Sequence, residues 1–491
     1  MMRRKKRKMA SRPGSNRNDT TAGTRIMRAN HRFWIVSISL VALSACNRIP
    51  QTGLVDPELA SQIVDVRAID NHAHPVRPTL AGEEPDHEYD ALPVESLEAQ
   101  SDPVRTRPGS PELTEAHRAV FNGDKSKAAI TFGRDYAVRM LDRLNIETML
   151  ANRVALGPGL PSPRFLWVPF ADALMYPLPT DSLIHNSDQK SFFALEDKLL
   201  KRYYAESRVT TKPATLDDYL ARVVRPTLER HKQAGAVAEK FEMAYLRTLD
   251  IGSPSHADAA KYYAAGTGDY KALQDYIFRF IAVESGRLGM AIHIHAAAGG
   301  GGYFNVAGAN PLLLEPLCND PALRKTNFVL LHGGWPFSRQ LTALLTKPNC
   351  YADFSEQTFM NYPRDVSETI RAWLEYVPEK VLYATDAYPY APPDAGWEET
   401  AYIANKTGRE ALGMALTGMM RDGEITRERA LGLARMVLRD GRQETRLVAE
   451  LLPLLYGHDR AERAPQPGQR GAAPGRGWRD SHRDGRGPRG R

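Results

Sequence analysis

Eight short apolar runs punctuate the middle of this chain, separated by polar or helix-patterned sequence, and this alternation constrains the fold most. They read DVRAIDNH (65–72), ETMLANRVA (147–155), RFLWVPF (164–170), AVAEKFE (236–242), GMAIHIH (289–295), TNFVLLH (326–332), CYADFS (350–355) and KVLYATD (380–386). Apolarity that is continuous rather than alternating marks strands covered on both faces, the habit of parallel sheets. Helical patterns fill 132–145, 215–233, 270–287, 337–345 and 364–376, with 408–420 and 424–456 after the last run. Strands alternating with helices predict an α/β fold, and eight of them predict a (β/α)8 TIM barrel. The connections 75–131 and 171–235 are long. In a barrel they leave the carboxyl ends of strands, so they read as βα-loop insertions forming lids over a pocket.

The net charge of +7 is unevenly placed. Residues 1–46 carry +10 and residues 459–491 carry +5, which leaves −8 on the body at 47–458. An acidic body argues against nucleic acid as partner, because phosphate neutralisation needs a basic surface on the fold itself. The segment APQPGQRGAAPGRGWRDSHRDGRGPRGR (464–491) has too little apolar surface to offset its ordering entropy, and the tail 459–491 is expected to be disordered.

Arg28 and Arg32 precede an apolar stretch, FWIVSISLVAL (33–43), which is short for a membrane span and suits the apolar region of an export signal. Leu43-Ser44-Ala45-Cys46 resembles the bacterial lipobox. That resemblance implies lipidation at Cys46, a lipid anchor, and export to the periplasmic side of the outer membrane. Cleavage after Ala45 and an uncleaved anchor are the rival readings, and Met27 is an alternative start. Cys318 and Cys350 lie in or beside apolar runs and read as buried structural thiols.

Ligand-type residues sit at the ends of these runs. His72-Ala73-His74 places two imidazoles on one side of an extended chain, and His293 and His295 repeat the spacing. His295 lies nearer the strand's end and reads as the ligand, with His293 one layer deeper as a substrate contact. His332 precedes Gly333-Gly334, where the backbone can turn sharply. Asp386 follows a run so apolar that a carboxylate there is costly unless paired or metal-bound. On the fourth run Lys240 and Glu242 share a parity. Lys240 could be carbamylated to bridge two metals, could bind an anionic substrate, or could pair with Glu242. Imidazoles with a carboxylate suit a divalent transition ion, zinc by default, as one or two ions.

DNHAHP, HIH, HGGWP and ATDA, in that order over residues 60–400, resemble the amidohydrolase superfamily, and more closely its amidohydrolase-related branch of metal-dependent TIM-barrel proteins. The resemblance implies metal ligation by His72, His74, His295 and Asp386. It also implies catalytic roles for Asp386 and His332, and a fourth-strand position filled by Lys240 or Glu242. The reaction it implies is hydrolysis of an amide, lactone or ester in a small molecule. A metal-dependent decarboxylase of the same fold and a non-catalytic surface lipoprotein are the alternatives. Neither the substrate nor the oligomeric state is legible.

Overall fold

A computed structural model describes residues 54–79, 82–88, 102–266, 268–390 and 396–440. The expected signal segment with Cys46 and the tail at 459–491 lie outside these residues, as does the second half of the helix expected over 424–456.

A strand forms within each of the eight apolar runs: β1 Ala68–Ala73, β2 Ile146–Asn152, β3 Phe165–Val168, β4 Ala238–Phe241, β5 Ala291–His295, β6 Phe328–Leu331, β7 Cys350–Asp353 and β8 Val381–Leu382. All neighbouring pairs are parallel, in two sheets ordered β1-β2-β3 and β4-β5-β6-β7-β8. Backbone hydrogen bonds also join the sheets' edges. Val237 N donates to Trp167 O (3.0 Å) and Lys240 N to Pro169 O (2.7 Å), linking β3 to β4. Asp386 N donates to His72 O and His74 N to Ala387 O, both at 2.8 Å, linking the chain after β8 to β1. Both faces of the strands are covered, which is why their sequences are apolar throughout.

Helices cover the outer faces. Tyr270–Leu288 is capped by Asp269, whose carboxylate accepts from Ala272 N, and it ends on Gly289 at φ 65°, which turns the chain into β5. Ser338–Leu344 and Pro363–Leu374 connect β6 to β7 and β7 to β8. The expectation of helices between strands fails at 153–164, where β2 and β3 are joined by a loop. The helix expected at 408–420 begins much earlier and spans Trp397–Arg421, because Glu399 Oε2 accepts from Gly396 N (3.0 Å) and caps a start upstream of the recognisable periodicity. The last helix is Arg427–Arg435, followed by a π turn over Met436–Asp440. Among the described residues no helix is long and apolar enough to cross a membrane.

Both long connections hold helices, including Pro111–Phe121 in the first and Ser187–Glu206 in the second. The first is pinned from both ends. Arg153, just past β2 and fully buried, makes paired bonds to Asp86 (2.8 and 2.9 Å) and donates to Pro75 O at 2.6 Å. Arg105 donates to Thr358 O, Asn361 O and Thr407 Oγ1. Cys318 and Cys350 are both buried, with their sulfurs 2.6 Å apart.

Candidate metal centre

The carboxyl ends of β1, β5, β6, β7 and β8 converge, and what they bring together follows from how each strand stops. β1 is tied to β8 by Asp70, whose carboxylate accepts from Thr385 N (2.9 Å), Thr385 Oγ1 (2.5 Å) and His72 N (3.3 Å). Burial pushes Asp70 up to about 7, against the pull of those hydrogen bonds. The tie sets Asp386 beside the two β1 imidazoles. His72 Nε2 lies 3.1 Å from Asp386 Oδ1, His74 Nε2 lies 3.5 Å from it, and the two Nε2 atoms are 3.3 Å apart. Three buried ligand atoms so close together are the geometry that a divalent ion imposes on a shared shell.

Across the pocket, the ring centroids of His295 and His332 are 4.6 Å apart, and those of His72 and His332 5.2 Å. Asp353 holds His332 in place. Its Oδ1 accepts from His332 N (2.9 Å), Ser355 N (3.0 Å) and Ser355 Oγ (2.5 Å). Since the Ser355 hydroxyl proton goes to Asp353, Ser355 Oγ accepts from His332 Nδ1 at 2.8 Å, which leaves the lone pair on Nε2. Burial pushes His72, His295 and His332 well below the ordinary imidazole range, and neighbouring cationic groups add to the effect. Neutral imidazole is the ligand form. The residues present therefore fit a divalent ion.

Lys240 Nζ lies 3.3 Å from His72 Nε2 and 3.2 Å from Glu242 Oε1, both within the pocket. Glu242 N donates to both oxygens of Asp172, which burial, reinforced by the Glu242 charge, pushes up to about 8. Tyr245, Tyr388 and Tyr390 line the pocket with Asp102 from the first long connection. A larger cavity of ≈ 1010 Å³ lies between residues 76–79, helix Pro111–Phe121 and residues 396–398, but none of the strand-end histidines reaches it. Of the strand-end histidines, His74, His295 and His332 line the narrower pocket.

No family model matches the chain. Protein fluG of Emericella nidulans is 26% identical over 274 residues, covering 53% of this chain; the chain spans only 29% of that relative's length. A protein of Lactobacillus casei ATCC 334 named as a metal-dependent hydrolase superposes with a TM-score of 0.53 at 16% identity, covering 83% of this chain and 99% of that one. The glucuronate isomerase of Caulobacter crescentus superposes with a TM-score of 0.51 at 14% identity, covering 80% of this chain and 96% of that one. The chain shares its fold with these two proteins.

Within this fold the sequence-based candidates fall into layers. His72, His74 and Asp386 meet directly, and Lys240 and Glu242 stand beside them. Ligand-type atoms within 4.8 Å of one another join His332 to His72 and Asp386 in one group and to His295 and Glu356 in another. His293 is buried beneath them, paired in register with Lys240 of β4 and Val329 of β6. Sequence reasoning missed Asp353, Ser355 and Glu356. A signal was present: DFSE places polar and acidic residues directly after an apolar run, the same pattern that marked Asp386. Among the described residues six non-glycines take a positive φ, and His332, Glu356 and Asp386 are three of them (64°, 57° and 54°). Backbone strain is thus concentrated over the pocket.

Proposed function

We propose that this protein is a metal-dependent hydrolase of the amidohydrolase superfamily, its eight parallel strands forming one (β/α)8 barrel with the site at their carboxyl ends. The convergence of His72, His74 and Asp386 to within 3.5 Å carries this reading. The bonds joining β3 to β4 and β8 to β1 support the barrel. His72, His74 and Asp386 would hold the ion, zinc being the default for this donor set. When bound there, the ion would supply Lewis-acid polarisation and an acidified water. Asp386 takes the proton from the attacking water and returns it to the leaving group. His332, its Nδ1 proton held by Ser355, presents a bare Nε2 to the pocket, where it can accept a hydrogen bond from the attacking water and orient it. Lys240 draws an anionic substrate group towards the ligands, and the three pocket tyrosines offer hydroxyls to the rest of a small-molecule substrate.

The test combines metal analysis of the purified protein with turnover of a panel of lactones, esters and amides in ¹⁸O-labelled water. Retained metal and one labelled oxygen in the product are expected, with both lost in His72→Ala and Asp386→Asn at unchanged circular dichroism. Wild-type turnover in either variant would sink the assignment. The similarity to glucuronate isomerase favours a second reading, proton transfer between adjacent carbons of a sugar acid; solvent deuterium in the product without labelled oxygen would establish it. Release of carbon dioxide would establish the decarboxylase instead. Export as a Cys46-anchored lipoprotein is a separate proposal, tested by lipid labelling that Cys46→Ala abolishes.

A further inference from the structure

Proton placement leaves the pocket short of hydrogen-bond donors. Hydrolysis of an amide, lactone or ester puts negative charge on the carbonyl oxygen, and a donor aimed at that oxygen stabilises the charge. Most of the described lining cannot serve. Asp102, Glu242, Glu356 and Asp386 only accept when ionised. The Nδ1 proton of His332 goes to Ser355, and its Nε2 is bare. Ala297 O can only accept, so His295 Nε2 carries the proton and donates it there at 3.1 Å, which leaves Nδ1 bare as well. Lys240 is paired with Glu242 Oε1 at 3.2 Å. The hydroxyls of Tyr245, Tyr388 and Tyr390 remain.

Tyr245 is the one placed for the task. It closes the turn Met243–Tyr245 that follows β4, its N donating to Glu242 O at 3.0 Å. Its ring packs against His295, with centroids 4.7 Å apart, and against Phe304 at 4.9 Å. The His295 ring in turn lies 4.6 Å from that of His332, so Tyr245 stands on the His332 side of the pocket. Tyr388 packs instead against His74 (5.3 Å) and Tyr390 against Phe359 (5.2 Å). Gly299 and Gly300 close in on the Tyr245 hydroxyl. Gly300 N donates to the phenol oxygen. A Cβ on Gly299 would run into that same oxygen, so the loop comes this near only because residue 299 has no side chain. A phenol that accepts from a backbone N–H still has its own proton to give. Among the described residues no acceptor takes it. We propose that the Tyr245 hydroxyl donates a hydrogen bond to the substrate's carbonyl oxygen and stabilises the charge that develops there. This rests on the reading of the protein as a hydrolase, and it gives Tyr245 a part in the reaction beyond holding the substrate. The phenol keeps its proton throughout. As the water oxygen bonds to the carbonyl carbon, the C=O π pair moves onto the oxygen under the hydrogen bond. That pair returns as the bond to the leaving group breaks, while the water's proton passes through Asp386 to the leaving group.

The test uses the full-length, zinc-loaded protein with the fastest substrate of the ester, lactone and amide panel. It is compared with its thiono counterpart, in which sulfur replaces the carbonyl oxygen and accepts hydrogen bonds poorly. Tyr245→Phe keeps the ring and loses only the hydroxyl, so zinc content and circular dichroism should not change. Its kcat should fall by roughly 10²–10³-fold with KM little altered, because the bond tightens only as charge develops in the transition state. The oxygen-to-sulfur rate ratio should be large in the wild type and much smaller in the variant, a readout that a ring with only a packing role would not move. A kcat near the wild-type value, or an unchanged ratio beside a lower kcat, would overturn the role of Tyr245 and leave the hydrolase reading standing. No ¹⁸O in any product of the wild type would overturn that reading and this inference together.

Discussion

The first long connection should depend for its stability on one buried ion pair, and the consequence of breaking that pair can be worked out. Arg153 and Asp86 side chains are 0% and 2% exposed, joined by two hydrogen bonds, and Arg153 also donates to Pro75 O, the residue after the candidate ligand His74. Asp86→Ala leaves a buried guanidinium with only the Pro75 and Ala155 carbonyls as acceptors. Removing one partner of a buried pair costs about 3–5 kcal/mol. With about 2.1 cal/mol/K of unfolding entropy per residue, a fold of this length loses only about 4–6 °C in Tm. Replacing both partners with apolar residues, Asp86→Leu with Arg153→Met, should restore much of the loss, since apolar packing substitutes well for a buried pair. The sign with pH follows from the carboxylate. Burial alone would raise Asp86, but the Arg153 hydrogen bonds and charge outweigh it and hold the group below its ordinary 3.8. A depressed folded pKa stabilises the fold fully above the unfolded value and loses that contribution as pH falls through the folded one. The deficit of Asp86→Ala should therefore be complete at neutral pH and shrink below about pH 4. Urea unfolding read by tryptophan fluorescence serves as the assay, Trp167 being a local reporter because its indole donates to Arg153 O at 2.9 Å. A deficit under about 1 kcal/mol, or one unchanged from pH 7 to pH 3, would refute the reasoning.

Other perturbations test the site from different sides. Gly333→Ala drives a Cβ into the Trp373 ring and to 2.7 Å from Gln357 Nε2 at φ 59°, so it should lower stability by about 2–5 kcal/mol and weaken metal retention through His332, seen by calorimetry and metal analysis. Ser355→Ala removes the group that orients His332 and should lower kcat/KM or metal affinity by roughly 10–100-fold without changing the fold; wild-type values would remove Ser355 from the site. Oxidation with a small-molecule disulfide should convert Cys318 and Cys350, 32 residues apart, to a disulfide that blocks alkylation after denaturation and adds about 3–4 kcal/mol in the chain-entropy picture; two alkylated thiols in the oxidised sample would contradict it.

The sequence exposed the strands because burial on both faces leaves a local trace, and it exposed His72, His74 and Asp386 because ligand-type residues interrupt apolar runs where they end. What it concealed depends on tertiary contacts. Helix Trp397–Arg421 extends far beyond its legible half because its start is set by a cap and by packing. The grouping of ligand-type side chains was hidden for a sharper reason. Spacing within a strand assigns side chains to a face, yet which histidine reaches which carboxylate depends on how neighbouring strands are staggered. The Asp70–Thr385 tie brings Asp386 to β1, and the turn at Glu356 sends a carboxylate towards His295 and His332. The turn breaks the expectation that a residue with a side chain avoids positive φ, so no propensity argument could have found it. Its neighbours could have. DFSE carries two acids within four residues of an apolar strand's end, and whatever cost argument singled out Asp386 applies with equal force there.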